Sequence, residues 1–158
     1  MLIETKEEQT LDQYEPTVDD RIQRVLYRLE HGETLINNTL FNGENYCILG
    51  LFAEESGIGN WELNRDMYMY FVPETNESLG SALPSSVRSY YNFITNYGDF
   101  YVGDLPTDVI EQLEFFIGYI GPEFSLMEIN DIILGTNCDV NLNELLAKII
   151  RSGAIFGN

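Results

Sequence analysis

Thr17-Val-Asp-Asp-Arg-Ile-Gln-Arg-Val-Leu-Tyr-Arg-Leu-Glu-His-Gly32 and the block Thr39-Leu-Phe-Asn-Gly-Glu-Asn-Tyr46 that follows it decide the fold class between them. The first has the pattern of an amphipathic helix. Thr17 and Asp20 stand at capping-box spacing, with Asp in place of the usual Glu or Gln. Val18, Ile22, Val25, Leu26 and Leu29 recur at helical spacing, and Gly32 supplies a stop. The second block reads as a hairpin, because Asn42-Gly43 tolerates positive φ at both turn positions. A helix followed by a hairpin in one chain points to an α+β domain.

Outward from there the pattern continues. Cys47 to Phe52 is an apolar run broken only by Gly50, and it predicts a short buried helix ending at Gly57. Trp61 to Leu63 and Met67 to Val72 read as extended, and Pro73 to Gly80 as a polar loop. Leu83-Pro84 and Leu105-Pro106 each open a helix, the first to about Ile94, with a short strand at Phe100 to Val102 between them. Ser125-x-x-Glu128 and Asn141-x-x-Glu144 mark two further helix starts, closed by Gly135 and Gly153. The expectation is a helix-dominant α+β single domain over residues 17–158 with a small antiparallel sheet. Residues 1–16 read as a flexible acidic lead-in.

These blocks in order resemble a family of small, largely uncharacterised phage proteins. Its members run L-R-S-G, a hairpin, Y-C-C-L-G-V, a Trp, L-P-x-x-V and L-N-D before a last amphipathic helix. Here the corresponding residues are Val25 to Gly32, Tyr46-Cys-Ile-Leu-Gly-Leu-Phe52, Trp61, Leu83-Pro-x-x-Val87, Ile129-Asn-Asp131 and Leu142 to Ile150, spanning residues 25–151. The second cysteine of the family is Ile48 here, and Phe93 to Gly121 looks like an additional acidic segment. The resemblance implies a viral or prophage origin and a fold, and no activity.

The inventory excludes several chemistries. One histidine, His31, and two cysteines, Cys47 and Cys138, cannot make an ordinary zinc site. No calcium loop and no phosphate-cradling glycine motif occurs, so no metal and no cofactor is expected. A Cys47–His31 nucleophile lacks a third group, and the apolar context of Cys47 favours a packed core thiol. His31 reads better as a cap in the last turn of the first helix. Arg21, Arg24 and Arg28 share one helix face and are expected to pair with acids elsewhere in the fold, with contact to an anion as the alternative.

Charge is the strong signal. Twenty-six acids oppose 8 Lys or Arg, a formal net charge of −18. From residue 66 to residue 147 Arg88 is the single base among 13 acids. A magnitude of roughly 2–8 suffices for solubility. Such a surface disfavours direct nucleic-acid and membrane contact and favours a basic protein partner. The leading expectation is therefore a non-enzymatic, cytoplasmic viral binder. It would block the nucleic-acid-binding surface of a host protein by mimicry, for example a defence nuclease or an RNA-guided effector. The expected contact residues are Asp99, Asp104, Asp108, Glu111 and Glu114, with Tyr90, Tyr91, Tyr97 and Tyr101 near them as anchors, Tyr97 and Tyr101 foremost. The alternatives are a small acid-dependent hydrolase or ligand-binding enzyme, and a virion structural or assembly protein.

Overall fold

A computed structural model describes residues 17–136 and 140–157. Six α-helices run in order: α1 (Val18–Glu30), α2 (Ile48–Ser56), α3 (Ser85–Tyr91), α4 (Thr107–Ile117), α5 (Leu126–Gly135) and α6 (Leu142–Ser152). Strands β1 (Asn60–Asn64), β2 (Met67–Val72) and β3 (Glu77–Leu79) form an antiparallel sheet in that order. Strands β4 (Asp99–Tyr101) and β5 (Glu123–Ser125) form a separate antiparallel ribbon. The class is α+β, as the sequence predicts.

Local chemistry explains the helix ends. The Thr17 hydroxyl accepts from the Asp20 N–H at 3.1 Å, and the Asp20 carboxylate accepts the Thr17 N–H at 3.0 Å. Both orphan donors at the start of α1 are thereby satisfied. His31 occupies the C-cap, with its ring stacked on Tyr27 and Nδ1 2.7 Å from the Tyr27 carbonyl oxygen. The buried stripe Ile22, Val25, Leu26 and Leu29 packs α1 against α6 and α2. Pro84 and Pro106 sit at the N-caps of α3 and α4. There their missing N–H costs nothing. α3 stops at Tyr91, earlier than its sequence predicts, because Asn92 turns left-handed at φ 65°.

The Cys-x-Leu-Gly block has a direct physical role. Cys47 is the N-cap of α2, its sulfur accepting from the Gly50 N–H at 3.4 Å. A side chain at Gly50 would place its Cβ 1.8 Å from the Leu40 carbonyl oxygen. Glycine there lets the Leu40 backbone lie directly on the helix. That same carbonyl accepts the Cys47 N–H at 3.1 Å, and the Leu40 N–H donates to Gly80. The backbone of Leu40 is thus taken up by its neighbours. This is why Thr39 to Tyr46 makes a tight turn without a hairpin ladder. Asn42 Oδ1 accepts the N–H groups of Glu44 and Asn45, and only isolated bridges join Phe41 and Leu35 to Tyr46.

Two further expectations are corrected. The polar stretch Pro73 to Gly80 contains β3, in which Tyr70 pairs with Leu79 and Val72 with Glu77. Polar composition hides a strand this short, since the ladder and not the side chains holds it. The strand expected at Phe100 to Val102 lies one residue earlier, and Val102–Asp104 is a 3₁₀ turn. Its partner β5 precedes α5, where the sequence shows only the Ser125 cap. The segment Phe93 to Gly121 is built into the interior: Phe93, Phe100, Val102, Leu105, Val109 and Leu113 all enter the hydrophobic core. The lead-in 1–16 and the Cys138 loop lie outside the described residues.

Asn130 is a fully buried polar residue that ties distant segments together. Its Oδ1 accepts the Ile48 N–H at the start of α2 at 3.0 Å, and its Nδ2 donates to the Ile36 carbonyl at 2.8 Å. The neighbouring Asp131 accepts the Asn38 N–H. The Asn-Asp pair of α5 therefore closes the loop before α2 onto the core.

Candidate functional site

The acids divide by what they touch. Glu33 and Glu55 hold Arg28 at 2.8 and 3.0 Å, Glu144 meets Lys148, and Glu30 pairs with Arg151. Burial pulls the Arg28 pKa down, but the hydrogen bonds and charges of Glu33 and Glu55 outweigh it and raise the pKa above its ordinary value. Glu54 accepts the Trp61 indole N–H at 2.6 Å. Glu77 accepts from the N–H groups of Ser85 and Ser86 and from the hydroxyls of Ser86 and Thr75. Burial alone would push Glu77 up. The hydrogen bonds win and hold its carboxyl at about 2. These acids serve the fold.

The acids from residue 99 to residue 123 do not. Asp104, Asp108, Glu111, Glu114 and Glu123 are exposed and Asp99 is half-buried. None of the six joins an ion pair among the described residues. Asp108, Glu111 and Glu114 step along one side of α4, opposite the buried Val109 and Leu113. Asp104 extends the row from the 3₁₀ turn, and Asp99 and Glu123 lie on the β4–β5 ribbon. Glu114 sits in the last turn of α4, where a negative charge opposes the helix dipole by about 0.3–1 kcal/mol. No basic residue of that turn offsets it.

Exposed aromatic rings occur along the same stretch of chain. Tyr97 is 51% and Tyr101 59% exposed. The structure adds two the sequence does not single out: Phe115, 82% exposed, and Tyr119, 92% exposed. Phe115 departs from the helical spacing of Val109, Leu113 and Ile117, and that departure is the available sequence signal. Tyr91 belongs to the interior instead, and Tyr90 is half-buried against it. Tyr91 is fully buried, and its hydroxyl donates to the Phe52 carbonyl at 2.8 Å. Burial pushes the Tyr91 hydroxyl pKa up. Tyr90 lies beneath the Arg21 guanidinium, 4.0 Å from ring centroid to cation.

Elsewhere the surface offers less chemistry. A cleft of about 470 Å³ lies between α1 and α6, and its Glu30 and Glu144 are each engaged by a cation. Cys47 is buried, with its thiol pushed up to about 12 chiefly by desolvation. His31 uses Nδ1 on the Tyr27 carbonyl. Neither is arranged as a nucleophile or its base. Among the described residues no cluster of His, Cys, Asp or Glu could hold a metal ion. No helix among them is long and apolar enough to cross a membrane. Comparison with protein-family models, curated proteins and solved structures finds no match to this chain.

Proposed function

We propose that the protein is a non-enzymatic binder of viral type. In the host cytoplasm, its acidic face would occupy the basic, nucleic-acid-binding surface of a host protein, such as a defence nuclease or RNA-guided effector. One observation carries this reading. Six carboxylates from Asp99 to Glu123 are in no ion pair among the described residues, and the stretch from Tyr97 to Glu123 also carries four exposed aromatic rings. Carboxylates held at fixed separations present charge to Lys and Arg much as phosphates do, and the opposed fields speed docking. The rings supply large contact area at low entropy cost. The viral setting rests on the resemblance of the motif order to that of small phage proteins.

The test is capture from a bacterial lysate, identification of the captured protein, and then affinity measurement at two ionic strengths. A basic nucleic-acid-binding protein that competing duplex DNA displaces is the expected result. Charge reversal at Asp104, Asp108, Glu111 and Glu114 should weaken binding by at least about tenfold. Reversal at Glu4, Glu7 and Glu8 should change it little, and added salt should weaken it steeply. Equal small effects from both sets, with salt-insensitive binding, would refute the proposal.

A further inference from the structure

The chain shows twice how it holds a guanidinium. Arg28 lies 5.4 Å from the Tyr46 ring centroid while its nitrogens bond Glu33 and Glu55. Arg21 lies over Tyr90 and donates to the Tyr90 carbonyl at 2.8 Å. A ring face with two carboxylates suits arginine better than lysine. The planar cation stacks on the ring while its fork of N–H donors meets the carboxylates, and a compact, strongly hydrated ammonium does neither as well.

The β4–β5 ribbon presents the same set without a cation among the described residues. Tyr101 pairs across the ribbon with Glu123, and Asp99 lies two residues earlier on the same strand face. Phe100 and Phe124, on the alternate face, are buried in the core and fix the ribbon's orientation. Asp99, Tyr101 and Glu123, with Ile94, Thr95 and Phe100, line a cleft of about 210 Å³. Small-molecule sites run to roughly 300–1,000 Å³, so this cleft matches a single long side chain better than a metabolite.

We propose that this cleft receives an arginine side chain of the partner protein, its guanidinium stacked on Tyr101 and paired with Asp99 and Glu123. The inference rests on the reading of the acidic face as a surface for a basic protein, and it adds a preference for arginine over lysine. The row Asp104, Asp108, Glu111 and Glu114 supplies long-range attraction to either cation. The ring and the paired carboxylates supply the discrimination.

The probes are hexa-arginine and hexa-lysine peptides of equal charge, titrated calorimetrically against the full chain at ~0.15 M salt. The expected result is a preference for hexa-arginine of about fivefold. Tyr101→Leu, which changes an exposed ring, should abolish that preference by weakening hexa-arginine more than hexa-lysine. Tyr27→Leu, which removes an equally accessible ring on α1, should preserve it. Glu123→Gln should weaken the arginine peptide more than the lysine peptide. A preference that survives Tyr101→Leu would overturn the arginine cleft. If in addition reversal of Asp104, Asp108, Glu111 and Glu114 abolishes both affinities, the acidic face stands and only the cleft falls. If neither peptide binds the wild-type chain, both readings fall.

Discussion

Glu77→Gln tests how an acid placed for the fold acts on stability. The Glu77 carboxylate reaches from β3 to the start of α3, a helix whose own N-cap is Pro84 and carries no side-chain acceptor. It takes the Ser85 N–H at 2.6 Å and the Ser86 N–H at 3.0 Å, so it satisfies two orphan donors with a negative charge at the positive end of the helix. Its pKa falls from 4.5 to about 2 in the folded chain. Because the folded value is the depressed one, the stabilisation is complete above the unfolded value of 4.5. It declines as pH falls through the window from 4.5 to about 2, and is gone below that. At about 1.4 kcal/mol per pKa unit the full shift would be worth about 3 kcal/mol, and solvent screening at this partly exposed site reduces it to about 1–2 kcal/mol. Glutamine keeps one acceptor and loses the charge. At pH 7 the variant should melt about 2–8 °C lower, taking about 2–4 °C per kcal/mol for a chain of this length. Urea melts of both chains from pH 7 to pH 2.5 isolate the effect, since the other carboxylates titrate alike in both and cancel in the difference. That difference should shrink steadily below pH 4.5. A difference that stays constant to pH 2.5, or none at pH 7, would refute the reasoning.

Asn130→Ala should cost about 2–4 kcal/mol by urea melt, because it leaves the Ile48 N–H and the Ile36 carbonyl without their buried partner. Gly50→Ala should cost about 3 kcal/mol or more, because a Cβ meets the Leu40 carbonyl backbone. Gly57→Ala meets no neighbour within 4 Å and should cost only the about 1–2 kcal/mol of a left-handed residue, so equal melting losses for the two would contradict the close-approach argument. With its thiol pushed up to about 12, Cys47 should react with a thiol reagent only as fast as the chain opens, and reaction in native buffer at the rate of a free thiol would show otherwise.

The parts legible in the sequence are those that local chemistry dictates. Thr17, Ser125 and Asn141 announce their helices because a capping side chain must stand three residues before the N–H it accepts. The core stripe of α1 follows from helical spacing alone. Two three-residue strands were not legible. β3 and β5 exist because another strand lies beside them, and pairing between distant residues leaves no mark in composition. The turn at Asn42-Gly43 was legible, but its failure to grow into a ladder depends on Gly80 taking the Leu40 N–H from forty residues away. At the candidate site the acids were legible by count. Their exposure, the burial of Tyr91 and half-burial of Tyr90, and the exposure of Phe115 and Tyr119 depend on which face of each element meets the core.

That dependence also bears on what the acidic face can do. Phe100, Val102, Leu105, Val109 and Leu113 anchor the same segment that carries Asp99, Asp104, Asp108, Glu111 and Glu114. Each acid is therefore within two residues of a buried apolar side chain, so its backbone is held by packing. A partner that meets these charges has little chain entropy to remove, whereas charges on an unanchored segment must first be ordered. The same anchoring makes the segment costly to loosen. Mutual repulsion among carboxylates without cations, and Glu114 against the α4 dipole, are borne by the core beneath them. A surface needed only for solubility could scatter its charge where such penalties are small. Asp19, Glu44, Glu62, Asp66 and Glu74 are likewise exposed and outside the ion pairs of the described residues, but the six carboxylates from Asp99 to Glu123 ride on a segment whose backbone the core holds, which is the placement the proposed binding would use.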